Sequence, residues 1–326
     1  MTKTEEPDLK TLIRKLEKRH QKKQAAVALT AASLVLGLMV LVSPLFGAQE
    51  DIAPIAEAPA PVVAPVAPEA FADVRLEGKA AFVYDLATGE VLYERNSRSQ
   101  LPLASLTKLL TVYAAADTLS ADSTVTITDS ALLPEGDSGF SAGERFSFSD
   151  LARLALVSSS NDATAAIAET AAVARATTGK NLLAGAASAI GLSQTYALNG
   201  TGLDESTSIS GGYGSARDVA KLSGELLRKA PAIARATTAS SITIYSKDGI
   251  PHTLPNTNPE VVRVPNILLS KTGFTDLAGG NLAVVYDAGM NHPIAVVVLG
   301  SSREGRFRDV NALIARTNDY FAGKAE

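Results

Sequence analysis

"KAAFVYDLATGEVLYERN", residues 79–96, reads as two strands rich in aromatic and β-branched residues around the turn Thr88-Gly89-Glu90. A lone two-stranded hairpin is marginal in water and needs further strands beside it. The next strand-like runs lie at the far end of the chain: "GNLAVVYDA" (280–288) and "HPIAVVVLGSS" (292–302), joined by "GMN" (289–291). The stretch "LLSKTG" (268–273) reads as a strand before them.

The segments between are mostly helical: "LASLTKLLTVYAAADTL" (103–119), "FSDLARLALVS" (148–158, with Ser147 or Ser149 as cap), "NDATAAIAETAAVARAT" (161–177), "KNLLAGAASAIG" (180–191) and "SARDVAKLSGELLRKA" (215–230), the last stopped by Pro231. "RFRDVNALIARTNDYF" closes the chain as another helix. Strands at both ends with helices between predict an α+β fold: one antiparallel sheet built from both chain ends, with a mostly helical second lobe.

The chain has 326 residues and 46% hydrophobic content, enough for one sizeable core. A net charge of −4 gives no basic footprint for nucleic acid. There is no Cys, so disulfides and thiolate metal sites are excluded, and with only His20, His252 and His292 a His-based metal site is not expected either. No cofactor is implied.

Residues 1–24 are densely charged, whereas "AAVALTAASLVLGLMVLVSPLFGA" (25–48) carries no charge and is long enough to span a bilayer. Lys and Arg precede it, and none follows until Arg75, which predicts a cytoplasmic N-terminus and an extracytoplasmic remainder. The bulky Phe46 at position −3 to Ala48 disfavours cleavage there, so the span reads as a single-pass anchor in the cytoplasmic membrane, with a cleaved signal peptide as the alternative. Residues 49–73, rich in Pro and Ala, read as an extended spacer, and 74–326 as the folded domain.

Within that domain Ser105 and Lys108, three apart on a predicted helix, share a face inside a Leu-rich run. A serine hydroxyl needs a base, and a lysine becomes one when burial or a neighbouring cation lowers its pKa. Ser159 and Asn161 stand two apart, a hydroxyl able to pass a proton and an amide able to hold Lys108 and a substrate amide. Lys271 and Thr272 offer a cation and a hydroxyl to a carboxylate, with Gly273 allowing a substrate backbone to approach. Each piece alone is commonplace: S-x-x-K suits any amphipathic helix, and "SSN" any helix cap.

In the order S-x-x-K (105–108), S-x-N (159–161) and K-T-G (271–273), they form the motif set of penicillin-binding proteins and class A β-lactamases. The region from about 76 to 322 resembles the serine D-alanyl-D-alanine carboxypeptidases, the low-molecular-mass penicillin-binding proteins of the β-lactamase/transpeptidase-like superfamily. "FVYDLATGEVLYERNSRSQLPLASLTKLLT", "AGERFSFSDLARLALVSSSNDATAAIAE" and "LLSKTGFTDLAGGNLAVV" carry the likeness beyond the motifs.

The resemblance implies Ser105 as nucleophile, Lys108 as general base and Ser159 as proton relay. It implies Asn161, Lys271, Thr272 and Gly273 as substrate-binding residues, with the backbone N–H groups of Ser105 and Phe274 as an oxyanion hole. It also implies a peptidoglycan stem peptide ending in D-Ala-D-Ala as substrate and β-lactams as covalent inhibitors. A D,D-endopeptidase on the same scaffold stays open. The E-x-x-L-N stretch of class A β-lactamases is missing between Asn161 and Lys271, and a tail of 24 residues is short for a penicillin-sensing receptor.

Overall fold

The computed structural model describes residues 69–289 and 291–324. The charged tail, the predicted anchor (25–48) and the spacer up to residue 68 lie outside the described residues. Among the described residues no helix is long and apolar enough to cross a membrane.

In chain order the elements are strands β1 (Ala80–Asp85), β2 (Val91–Arg95) and β3 (Leu101–Pro102), helix α1 (Thr107–Ala116), strands β4 (Thr124–Thr126) and β5 (Arg145–Ser147), and helices α2 (Phe148–Val157), α3 (Asn161–Ala174) and α4 (Gly179–Ala189). Strands β6 (Tyr196–Ala197) and β7 (Gly212–Gly214) follow, then helices α5 (Ala216–Lys229) and α6 (Pro231–Ala236). Strands β8 (Ser241–Tyr245), β9 (Pro251–Pro255), β10 (Ile267–Thr275), β11 (Gly279–Asp287) and β12 (Pro293–Ser301) and helix α7 (Gly305–Lys324) complete the fold.

The main sheet is antiparallel with strand order β10-β11-β12-β1-β2. The first hairpin meets the last through β1 and β12, in register from Ala80↔Leu299 to Asp85↔Ile294. Alternate residues serve two cores. Ala81, Val83, Val284, Val296 and Val298 pack under α7 through Phe307, Val310 and Leu313. Phe82, Ala283, Val285, Val297 and Leu299 join the core of the helical lobe, which includes Val219, Leu222 and Leu226 of α5. Burial on both faces explains why these strands are nearly continuous apolar runs.

Helix α1 runs through the helical lobe, with every residue from Thr107 to Ala115 buried. It packs against α3, α4 and α5. Such all-round burial accounts for the Ala- and Leu-rich sequence and leaves Lys108 as its anomaly. Helix α2 is capped by Ser147, whose hydroxyl accepts from Asp150 N–H.

Three expectations need correction. The stretch from 103 is not one helix: a 3-10 turn, Ala104–Leu106, precedes α1 and carries Ser105. Pro231 ends α5 but also opens α6 from its first turn, where a missing N–H costs nothing. Residues 69–73 are not purely spacer, because Glu69–Phe71 form a 3-10 turn and Phe71 is buried against Tyr93.

Candidate active site

Ser105 sits in the tight turn leading into α1. The turn is entered through Ala104 in the left-handed region, φ 48°, a conformation that costs a non-glycine residue energy and persists only where its surroundings hold it. Three residues on, within one turn, Lys108 directs its ammonium back to the serine, with Nζ 3.2 Å from Ser105 Oγ. Ser105 keeps some exposure, whereas Lys108 is fully buried.

Lys108 Nζ also donates to Asn161 Oδ1 at 2.6 Å and to the Thr201 carbonyl at 2.7 Å. Among the described residues no carboxylate pairs with it, and burial pulls its pKa from 10.5 down to about 7. The sequence suggested that a second cation would share this work. Burial is the dominant cause at Lys108, and the repulsion between the two lysines shows at Lys271. That pKa is driven well below 10.5 by burial first, then by the charges of Lys108 and Arg306.

The second segment joins α2 to α3. Ser159 lies in the left-handed region, φ 61°, and its Oγ accepts from Lys271 Nζ at 2.9 Å. Ser160 turns the other way and caps α3, its Oγ accepting from Ala163 N–H at 3.1 Å and from Ser138 Oγ at 2.7 Å. The "SSN" cluster is therefore both a helix cap and part of the site. Asn161, first residue of α3, gives its Oδ1 to Lys108, and its Nδ2 donates to Glu135 O at 2.5 Å.

The third segment is the edge strand β10. Ser270 N–H points away from β11 and donates to Thr237 Oγ1 at 2.9 Å. The Thr272 carbonyl faces the same open side and accepts from Lys271 Nζ at 2.8 Å. The register runs unbroken from Leu269 to Thr275, so antiparallel alternation turns the Phe274 N–H to that edge as well. The Phe274 ring lies 3.7 Å from the Arg303 guanidinium, leaving the backbone as this residue's offering to the cleft. Thr272 Oγ1 donates to Thr257 Oγ1 at 2.6 Å.

Gly273 also has a reason within the fold itself. A Cβ there would stand 2.8 Å from Leu103 O and 3.3 Å from Leu106 N. What approaches so closely is the serine turn itself, so Gly273 sets the gap between β10 and Ser105.

All three motifs thus converge in two hydrogen-bonded groups, Ser105–Lys108–Asn161 and Ser159–Lys271, close enough for the charge of Lys108 to act on Lys271. Beyond Asn161, Thr201 and Phe274 the cleft widens into a cavity of about 1100 Å³ walled by Pro134, Glu169 and Asp204. The two histidines among the described residues serve elsewhere. His252 packs on Phe140 with Glu144 3.3 Å away, and His292 meets Asp85 at 2.9 Å.

Three contributors carried no sequence signal: the Thr201 carbonyl, a backbone atom of an irregular loop; Thr257; and Arg306, which donates to Gly273 O at 2.8 Å. Among the described residues no cluster of His, Asp or Glu is arranged to hold a metal.

Residues 66–303 match the family described as D-alanyl-D-alanine carboxypeptidase. The chain is 29% identical over 268 residues to the D-alanyl-D-alanine carboxypeptidase DacF of Bacillus subtilis, a match covering 78% of this chain and 66% of that protein. It is 31% identical over 233 residues to a D-alanyl-D-alanine endopeptidase of Pseudomonas aeruginosa, covering 69% of this chain and 71% of that one. Among solved structures, penicillin-binding protein D2 of Listeria monocytogenes in its cefotaxime-bound form superposes with a TM-score of 0.64 at 26% identity, over 75% of this chain and 98% of that one.

Proposed function

The chain belongs to the D-alanyl-D-alanine carboxypeptidase family of serine peptidases, and on that premise we propose that it removes the terminal D-alanine from peptidoglycan stem peptides through an acyl-enzyme on Ser105. The observation that carries this reading is the fully buried Lys108, with a pKa near 7, 3.2 Å from the reachable Ser105 hydroxyl. A lysine poised near neutrality can accept a proton that an ordinary lysine cannot.

The substrate's terminal carboxylate lies against Lys271 and Thr272. Ser105 Oγ passes its proton to Lys108 Nζ and bonds to the penultimate D-Ala carbonyl carbon. The oxygen of the tetrahedral intermediate points between the N–H groups of Ser105 and Phe274, donors of a kind each worth about 3 kcal/mol in such holes. The C–N bond then breaks. The leaving amine takes its proton through Ser159, which Lys271 holds at 2.9 Å, and Lys108 is neutral again. Water attacks the ester, Lys108 accepts one of its protons and returns it to Ser105 Oγ as the C–O bond breaks, and the new carboxyl group of the shortened peptide loses the other to solvent. A β-lactam acylates the same oxygen.

The charge-free span 25–48, preceded by Lys and Arg and followed by none until Arg75, supports a chain anchored in the cytoplasmic membrane with Ser105 outside. The Pseudomonas aeruginosa relative is named an endopeptidase, so a cross-linked peptide is the second substrate to test.

The test is intact-protein mass of the full chain in detergent after benzylpenicillin, wild type beside Ser105→Ala. One penicilloyl adduct on the wild type alone is expected, and D-alanine release from a stem pentapeptide should exceed cleavage of a cross-linked dimer. Rapid drug hydrolysis without an adduct would make the protein a β-lactamase. A folded wild type showing neither would overturn the reading.

A further inference from the structure

Lys108 has three hydrogen-bond partners, and they differ in kind. Asn161 Oδ1 and the Thr201 carbonyl only accept, whereas Ser105 Oγ can also donate. A neutral amine has two N–H bonds and one lone pair. If both N–H bonds go to the two obligate acceptors, the lone pair is left facing the Ser105 hydroxyl proton. The direction of the base therefore depends on where the Thr201 carbonyl stands.

That carbonyl belongs to an irregular loop between β6 and β7, without a strand or helix to fix it. One side chain organises the loop. Asn199 Oδ1 accepts from Gly202 N–H at 2.7 Å, Thr201 Oγ1 at 3.0 Å and Thr201 N–H at 3.2 Å. Its Nδ2 donates to Leu203 O at 3.0 Å and Glu205 Oε1 at 2.6 Å. The loop so formed is pressed on the nucleophile turn: Gly202, at φ 78°, would place a Cβ 2.0 Å from Ala104 O. Thr111 Oγ1 of α1 pins the preceding Gly200 carbonyl at 2.7 Å.

We propose that Asn199 is a positioning residue for acylation, acting through the Thr201 carbonyl to aim the Lys108 lone pair at Ser105. It touches neither substrate nor reacting atoms. The inference rests on Lys108 being the base, as in the proposed function.

The experiment measures acylation of the full chain by a fluorescent penicillin in rapid mixing, resolving the saturating rate k2 from the dissociation constant K of the initial complex. Wild-type acylation, absent in Ser105→Ala, is established first; its failure would strike the proposed function rather than this inference. Asn199→Ala should lower k2 by roughly 30- to 100-fold, on the order of losing one well-placed group, with K within threefold and the melting temperature nearly unchanged. Asn199→Asp keeps the Oδ1 acceptor but sets a carboxylate oxygen against Glu205, so it should be slow alone. Adding Glu205→Gln, which supplies an amide donor and leaves only the Leu203 carbonyl opposed, should recover k2 in part.

Wild-type k2 in Asn199→Ala would overturn the proposal. So would a loss shared between k2 and K together with lower thermal stability, or no recovery in the double variant. If the alanine variant does not fold, Asn199→Ser decides by the same comparison.

Discussion

The pH dependence of acylation follows from one buried amine. At pH 7 an ordinary lysine, with a pKa of about 10.4, is neutral in roughly one molecule in 2,500. Lys108, pulled to about 7 by burial, is neutral in about half. Burial thus raises the supply of competent base about a thousandfold, equivalent to roughly 4 kcal/mol at 1.36 kcal/mol per decade. The second-order acylation constant, which reports groups of the free protein, should climb about tenfold per pH unit below 7 and level off above it. Because Lys271 is also pushed down and feels Lys108, the limb belongs to the pair, and substitution assigns it. Lys108→Arg, a side chain that stays protonated, should not acylate anywhere between about pH 5 and 9. Stopped-flow fluorescence with a labelled penicillin over that range decides the matter. A flat wild-type profile, or an arginine variant acylating at a comparable rate, would refute Lys108 as the base and burial as its activator.

Two further substitutions probe the other walls of the site. Gly273→Ala introduces a methyl 2.8 Å from Leu103 O; by separating β10 from the serine turn it should slow acylation about 100-fold, the scale of one lost oxyanion donor. Circular dichroism should show an unchanged fold, and an unimpaired rate would remove the Phe274 N–H from the hole. Lys271→Ala should cut acylation efficiency roughly 10- to 100-fold, the value of a hydrogen bond to a charged group. The loss should shrink for a β-lactam whose carboxylate is esterified, and an equal loss for both compounds would mean that Lys271 does not read the carboxylate.

What the sequence made legible follows from how far each signal travels along the chain. Ser105 and Lys108 are three apart on a local turn, so their proximity is a matter of helical geometry, even though the serine lies in a 3-10 turn rather than in α1. Strands β1, β11 and β12 are long, apolar and bounded by turns, and their pairing needs only that the two chain ends meet. Pairs such as β4–β5 and β6–β7, two or three residues long, carry no periodicity to read. Pro251 and Pro255 disguise β9, which is tolerated because it pairs with β8 in a separate two-stranded sheet. The Thr201 carbonyl has no residue identity, and Arg306 reaches Gly273 from the helix after β12, so neither could be located before the fold was known.

The electrostatics of the site make sense only with the substrate counted in. Lys108 makes three hydrogen bonds and Lys271 two, and all go to uncharged oxygens. Two buried cations without a counter-ion would be costly, and such groups shed protons instead. That serves Lys108, whose work requires the neutral form, but not Lys271, which must meet an anion. In the proposed reaction a peptide ending in D-alanine would carry that anion to Lys271, so that binding itself would restore the charge that burial removed there, while Asn161 and Thr201 hold Lys108 at Ser105. Once the terminal D-alanine leaves, the carboxylate leaves with it, and the acyl-enzyme again holds two uncompensated lysines. On this reading the acyl-enzyme meets water with Lys108 returned to its neutral form, ready to accept a second proton.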